Sequence, residues 1–263
     1  MTVRAGVVGW PIAHSLSPLI HTAWLSAAGL DGAYEAHPCE TEADFSHMLD
    51  EGRAGRLRGL NVTAPWKERA LSEADTVSPT ARACGSANLL VFEGGRIVAD
   101  STDGQGLLIA LADQAPHISL SAASVVVMGA GGAARAAVQA LVAAGAEVGV
   151  LNRTAERAER LAQDLGARVV TPEALTTARL VVNALSVPPA LDMNALPADA
   201  VVMDMTYRPL ETPFLAQARA RGLTGVDGLA MLIGQARPSF EALFGMAPPD
   251  MNVRALALEA LAS

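Results

Sequence analysis

Of the 19 cationic side chains in this chain of 263 residues, all but one are arginine; the exception is Lys67. Arginine stays charged at any physiological pH, whereas a lysine amine can be desolvated and can give up its proton. Where arginine serves as the generic cation, the surviving lysine is a candidate for proton chemistry; the alternative is a surface lysine kept by chance. Lys67 closes the stretch Gly59-Leu60-Asn61-Val62-Thr63-Ala64-Pro65-Trp66-Lys67, in which a strand runs into a proline-fixed loop. Two further polar clusters interrupt apolar sequence. The run Gly9-Trp10-Pro11-Ile12-Ala13-His14-Ser15-Leu16-Ser17-Pro18 sets Ser15 and Ser17 beside a helix start, where hydroxyl and N–H groups suit a carboxylate. The plainer reading makes Ser17 an N-cap and His14 a loop histidine. Asp100-Ser101-Thr102-Asp103-Gly104-Gln105-Gly106 leads into the next helix, and an aspartate before glycine is usually a turn or cap residue.

A different chemistry follows Ser124. An apolar strand, Ser124 to Met128, runs into Gly129-Ala130-Gly131-Gly132-Ala133-Ala134 and then an alanine-rich helix. This is the G-x-G-x-x-G/A arrangement, with Gly129 for the tight turn, Gly131 for close backbone approach to a pyrophosphate, and Ala134 for helix–sheet packing. N–H groups and the positive dipole end at the helix start complete an anion site. About twenty residues on, where an acid would bind ribose hydroxyls, the next strand ends in Asn152-Arg153-Thr154. A guanidinium grips a 2′-phosphate through paired hydrogen bonds, so NADP(H) is expected over NAD(H). Arg157, one helical turn after Arg153, either faces the same phosphate or pairs with Glu156 or Glu159.

These residues need a scaffold. With 51% hydrophobic and 17% charged residues the chain can bury a large core. Its 27 acids against 19 bases, net charge -8, leave no basic footprint for nucleic acid. Cys39 and Cys84 sit in no CxxC or metal spacing and read as core fillers, so neither a disulfide framework nor a metal is expected. The start MTVRAGVVGW lacks the apolar stretch of a signal peptide, and no later run is long enough for a bilayer; a soluble cytoplasmic protein without membrane partners is expected.

The element pattern is strand and helix in alternation. Val3 to Val8 reads as a strand, then Pro18 to Ala28 as a helix with Ser17 as N-cap and Pro18 at N1. Tyr34 to His37 (strand), Glu42 to Asp50 (helix) and Gly59 to Val62 (strand) follow. Asn88 to Phe92 and Arg96 to Ala99 flank a Glu93-Gly94-Gly95 hairpin turn. After Ser124 to Met128 come a helix Ala133 to Ala144 stopped by Gly145, a strand Glu147 to Leu151 and a helix Ala155 to Leu165. Strands at Arg168 to Val170, Leu180 to Ala184 and Val201 to Met205 argue for a parallel, doubly wound sheet. Helices Leu229 to Ala236 and Val253 to Leu261 close the chain, the last expected to return to the first unit. Two domains with a groove between them are the expectation.

The sequence resembles the shikimate dehydrogenase family, through GWPIAHSLSP, GLNVTAPWK, STDGQG, GAGGAARA, NRT and GLAMLIGQA in order across nearly the whole chain. The resemblance implies an α/β fold of two domains: an N-terminal substrate domain, residues 1–102 plus 236–263, and a Rossmann-type NADP domain, residues 103–235. It implies reversible NADPH-dependent reduction of 3-dehydroshikimate to shikimate, a polyol carboxylate; a monomer or homodimer is the expected assembly. It makes Lys67 and Asp103 the catalytic pair, and Ser15, Ser17, Thr63, Lys67, Asn88, Asp103, Tyr207 and Gln235 substrate ligands. Gly129, Ala130, Gly131, Gly132, Ala133, Asn152, Arg153, Thr154, Arg157 and Met231 would hold the cofactor, Met231 beside the nicotinamide. The chemistry agrees: hydride arriving at a ketone carbon leaves charge on its oxygen, and Lys67 can both stabilise that oxygen and protonate it. Asp103, if close, holds the ammonium and shares the substrate hydroxyls. The chain departs from the family pattern at Thr22, Leu89 and Ser101. Competing readings are a quinate/shikimate-type paralogue and a catalytically silent NADP-binding regulator; a regulator has no use for Lys67 with Asp103.

Overall fold

The structure is a computed structural model and describes residues 2–185, 187–189 and 191–262. The chain divides into two compact units. One runs through Thr102 and resumes at Gln235; the other is Asp103–Gly234.

The first unit begins with β1 (Val3–Gly9), α1 (Ser17–Ala28), β2 (Gly32–Pro38), α2 (Glu42–Arg53), β3 (Gly59–Val62) and α3 (Lys67–Ser72). It continues with β4 (Thr76–Val77), α4 (Pro79–Cys84), β5 (Leu89–Glu93) and β6 (Arg96–Asp100). Its sheet has the order β2-β1-β3-β5-β6-β4. β1 pairs in parallel with β2 and β3, while β5 is antiparallel to both β3 and β6. The β5–β6 hairpin turns on two residues, since Glu93 already pairs with Arg96. Gly94 and Gly95 have φ of 57° and 78°, the left-handed pair that a two-residue hairpin loop demands. Leu60, Leu90, Ile97 and Phe45 pack the sheet's core.

The second unit holds α5 (Asp103–Gln114), β7 (Ser124–Met128), α6 (Gly132–Ala143), β8 (Glu147–Leu151), α7 (Ala155–Leu165) and β9 (Arg168–Val169). β10 (Leu180–Asn183), β11 (Val201–Asp204), α8 (Pro213–Ala220) and β12 (Thr224–Val226) complete it. Every strand pair is parallel, in the order β12-β11-β10-β7-β8-β9. Numbered within the unit this is the doubly wound 3-2-1-4-5-6 order read from β9. The strands are near-continuous aliphatic runs because both faces are covered. Val125 and Val127 face one core with Leu107 and Leu141, while Val126 and Met128 face another with Val181 and Phe214.

Two helices end the chain, α9 (Gly228–Phe244) and α10 (Val253–Ala262), and α10 packs on α1. The expected stop of α9 at Ala236 is wrong. The helix passes through Pro238, at the loss of one backbone hydrogen bond, because the turns beyond bury Phe240 and Leu243. Phe240 meets Trp24 edge-on at 5.5 Å and Phe244 at 4.9 Å between ring centroids. A second correction concerns α1: Leu16, with no capping side chain, precedes it, and Ser17 is already helical. The oxygen that serves the first turn is Ser15 Oγ, which accepts from the Ser17 N–H at 3.3 Å.

No helix among the described residues is long and apolar enough to cross a membrane. No group of three His, Cys, Asp or Glu among them could hold a metal ion. Cys39 and Cys84 are buried thiols, and burial pushes Cys39 up to about 11, which keeps it protonated and inert.

Candidate active site

In the first unit the candidate lysine sits on a braced turn. Thr63 N–H donates to Val8 O at 2.9 Å and Trp66 N–H to Thr63 O at 3.0 Å. The Trp66 indole N–H reaches Cys39 O at 2.8 Å, and its ring stacks on Phe45 with centroids 5.2 Å apart. Lys67 follows as the first residue of α3, half-buried, with its carbonyl accepting from Ala87 N–H at 2.9 Å. Backbone is therefore fixed on both sides of the amine-bearing residue. Thr63 is half-buried in the same turn.

Elsewhere in this unit, β3, the β6 end and α9 assemble a buried polar group. Asn88 Oδ1 accepts from Thr102 N–H at 2.7 Å, and its Nδ2 donates to Thr102 Oγ1 at 2.9 Å and Gln235 Oε1 at 3.2 Å. Asn88 and Gln235, expected as substrate ligands from resemblance alone, thus touch across 147 residues of sequence. Ser15 is half-buried and Ser17 buried, joined by the hydrogen bond given above. His14 is exposed in that loop, as the plainer reading has it.

Sequence reasoning missed three members of the buried group: Asn61, Thr102 and Ser239. Thr102 lies inside a motif already singled out, between Ser101 and Asp103. Ser239 stands four residues after Gln235 and would have been visible had the helix been continued past Pro238. Of the departures from the family pattern, Thr22 is exposed on α1 and Leu89 is buried in β5. The Ser101 hydroxyl is buried with no hydrogen-bond partner among the described residues. Nothing in the structure explains these three.

The second unit offers the glycine turn. Gly129 has φ of 114°, and a Cβ there would stand 3.2 Å from Ala184 O, so the fold itself requires glycine. Gly131 is different. It caps α6 with φ -92° and ψ -173°, extended backbone that any residue adopts, and a Cβ on it or on Gly132 meets nothing within 4 Å. The chain's own packing does not ask for glycine at these two positions, and the open space over the start of α6 fits a dinucleotide pyrophosphate brought close to the backbone. Ala130 is half-buried, Ala133 is exposed and Ala134 is fully buried against the sheet.

At the end of β8, Asn152 Nδ2 donates to Thr154 O at 2.9 Å and shapes the turn. Arg153, Thr154 and Arg157 are exposed. Among the described residues neither arginine forms an ion pair, so Arg157 is not engaged by Glu156 or Glu159. Two such guanidinium groups, Arg153 in the turn before α7 and Arg157 in its first turn, fit a 2′-phosphate. Also in this unit, Tyr207 is half-buried just after β11, and Met231 is buried on α9.

Asp103 is buried as the first residue of α5. The expected turn for an aspartate before glycine is not formed, because Asp103 and Gly104 open the helix α5. A Cβ on Gly104 would come 2.8 Å from Ala140 Cβ and 3.0 Å from Ala136 O, so this glycine lets α5 lie close on α6.

Residues 7–90 match the family model described as shikimate dehydrogenase substrate binding domain, and residues 110–187 the model described as shikimate / quinate 5-dehydrogenase. A shikimate dehydrogenase (NADP(+)) of Caulobacter vibrioides is 52% identical over 275 aligned positions, 98% of this chain and 96% of that protein. The crystal structure of shikimate 5-dehydrogenase from Thermus thermophilus in complex with NADP(H) and shikimate has a TM-score of 0.91 and 40% identity, covering 98% of this chain and all 100% of that one. Quinate dehydrogenase from Corynebacterium glutamicum, in complex with NAD, has a TM-score of 0.88 at 29% identity, covering 98% and 99%. With similarity of this extent in both units, the chain belongs to the shikimate dehydrogenase family.

Proposed function

We propose that the chain is an NADP-dependent shikimate dehydrogenase, reducing 3-dehydroshikimate reversibly to shikimate in chorismate and aromatic amino-acid biosynthesis. The observation that carries this reading is the 52% identity to an NADP(+) enzyme over nearly the full length of both chains. The arginines after β8 support the choice of dinucleotide: a carboxylate there would repel a 2′-phosphate, and the turn holds Arg153 in its place. Gly129 to Ala133 would take the pyrophosphate on backbone N–H groups, Arg153 and Arg157 the 2′-phosphate, with Met231 beside the nicotinamide. Asn152 and Thr154 shape the turn that presents Arg153.

Reduced NADP, when bound, supplies the hydride. As the ketone carbon is reduced, the electron pair of its C=O bond moves to oxygen, and the Lys67 ammonium donates a hydrogen bond and then a proton to that oxygen. The brace of Trp66 and Ala87 on either side of Lys67 supports this role, because a proton donor works only if its backbone does not wander. Asp103 is the second catalytic residue and accepts from a substrate hydroxyl. Asn88, Gln235 and Thr63 bind the other hydroxyls, Tyr207 borders the ring, and Ser15 and Ser17 take the carboxylate at the start of α1. The cytoplasm, and a monomer or homodimer, belong to the same proposal; thiols at Cys39 and Cys84 suit a reducing compartment.

The test is turnover of the purified chain with shikimate and with quinate, each offered NADP and NAD. Shikimate with NADP should give the highest kcat/KM by at least about tenfold, roughly one paired hydrogen bond's worth of discrimination. A quinate and NAD preference would replace the proposal with the paralogue, and tight NADP binding without turnover would replace it with the regulator.

A further inference from the structure

Asn88 and Gln235 are backed by a second row of buried polar side chains, Tyr34, Asn61 and Ser239, to which the proposed reaction assigns no contact with a reactant. The direction of every proton in this row follows from its partners. The Asn88 backbone carbonyl can only accept, so the Asn61 atom 3.1 Å from it is the amide nitrogen. The same nitrogen gives its other hydrogen to Ser239 Oγ at 2.9 Å. Asn61 Oδ1 is then left to accept from the Tyr34 hydroxyl at 2.8 Å. Burial pushes the Tyr34 phenol well above its usual range, so it remains a donor. Ser239 Oγ, already accepting, sends its own proton to Gln235 O at 3.1 Å, nearer than Thr102 Oγ1 at 3.4 Å.

Tyr34, Asn61 and Ser239 are only 4%, 6% and 0% exposed, so water is not at hand to replace a missing partner. Apolar side chains would fill the same space without the risk of an unsatisfied buried group. What the polar row provides instead is direction. The Asn61 amide tethers the peptide carbonyl from which the Asn88 side chain departs, and through Ser239 it is tied to the carbonyl of Gln235.

We propose that Ser239 and Tyr34 are positioning residues which, through the Asn61 amide, hold Asn88 and Gln235 in the orientation that receives substrate; this rests on the substrate roles proposed above. A displaced ligand to a non-reacting hydroxyl weakens ground state and transition state alike, so the effect falls on KM and spares kcat.

The experiment compares wild type, Ser239→Ala, Tyr34→Phe and the double variant in steady-state kinetics with shikimate and NADP, alongside thermal unfolding. Ser239→Ala should raise the shikimate KM about tenfold and Tyr34→Phe about threefold, the usual range for a lost buried hydrogen bond, with kcat within about twofold and the NADP KM unchanged. Because both act on one amide, the double variant should show about the KM of Ser239→Ala alone, well short of the product of the two. A multiplicative KM overturns the inference, as does a fall in kcat and NADP binding that merely follows a lowered Tm. Tyr34→Phe keeps the ring stacked on His21 at 4.0 Å, so it tests the inference even if Ser239→Ala fails to fold. Wild-type turnover with unchanged KM in the variants removes this inference alone. A wild type that does not oxidise shikimate removes the functional reading, and the inference with it.

Discussion

The two units present candidate binding surfaces of opposite kinds. The first has a cluster of side chains: Asn61, Asn88, Thr102, Gln235 and Ser239 are buried together and hydrogen-bonded to one another. In the second, the buried polar side chains other than Asp103 serve the fold. Asn183 donates to Asp204 at 3.1 Å, and Asp204 accepts from the Thr212 hydroxyl at 2.7 Å, tying β10 and β11 to the start of α8. Its candidate binding surface is backbone and empty space at Gly131 and Gly132, with exposed arginines beyond. A polyol acid differs from its relatives in where its hydroxyls point, so reading it takes directed side chains. A pyrophosphate is the same in every dinucleotide, and N–H groups at a helix end suffice.

The largest effect expected on this division comes from Lys67→Ala, which should lower kcat by roughly 10² to 10⁴ while the NADP Kd, measured by titration calorimetry, stays within about twofold. Equal loss of cofactor binding would end the separation of roles. Arg153→Ala should weaken NADP by about 100-fold, the loss of a paired charge-assisted contact, and leave the NAD Kd almost unchanged; a constant ratio of the two would show that another cation reads the phosphate.

The glycines sharpen the comparison inside the turn. Gly131→Ala should leave the Tm of the ligand-free protein unchanged or slightly raised, since its backbone is ordinary and its Cβ meets nothing, yet weaken NADP by about 30-fold, two backbone contacts held off by a methyl group. Gly129→Ala should lower the Tm of the ligand-free protein, because of its φ of 114°. Identical behaviour of the two variants would mean that Gly131 is structural after all.

The smallest effect separates the units by pH. His21 is fully buried, stacked on Tyr34, with both ring nitrogens unpaired among the described residues, and burial pushes its pKa down to about 3. The unfolded chain, with His21 near its ordinary value of about 6.5, then binds a proton that the folded chain refuses. Its contribution to stability is full above pH ~6.5 and is lost as pH falls toward the folded value, at up to about 1.4 kcal/mol per pH unit. His21→Phe should flatten that slope, read as urea midpoints between pH 5 and 7. An unchanged slope would place the titration elsewhere.

Local pattern sufficed wherever neighbours along the chain carry the structure. The left-handed pair in the β5–β6 hairpin rests on contacts a few residues apart, and the turn at Gly129 and the alternation after Ser124 are legible as local residue patterns although their strands pair at a distance. It failed where a distant partner outweighs a local preference. Pro238 ought to end a helix, and Phe240 packing on Trp24 carries the helix on. The aspartate-glycine pair at Asp103 ought to turn, and instead it opens α5, with Gly104 close against α6. Ser17 ought to cap, and Ser15 supplies the oxygen.

For the candidate site the division is similar. That Lys67 is the only lysine, that Arg153 stands where an acid would bind a ribose, and that Gly131 follows an apolar strand are properties of residue type and spacing, and they are complete in one dimension. Which hydroxyl faces which amide is not. Asn61 and Ser239 lie 178 residues apart, and a hydrogen bond exists only when distance and angle are both right, which no local rule can supply. Residue chemistry set what each side chain is able to do; tertiary packing decided which of them do it together.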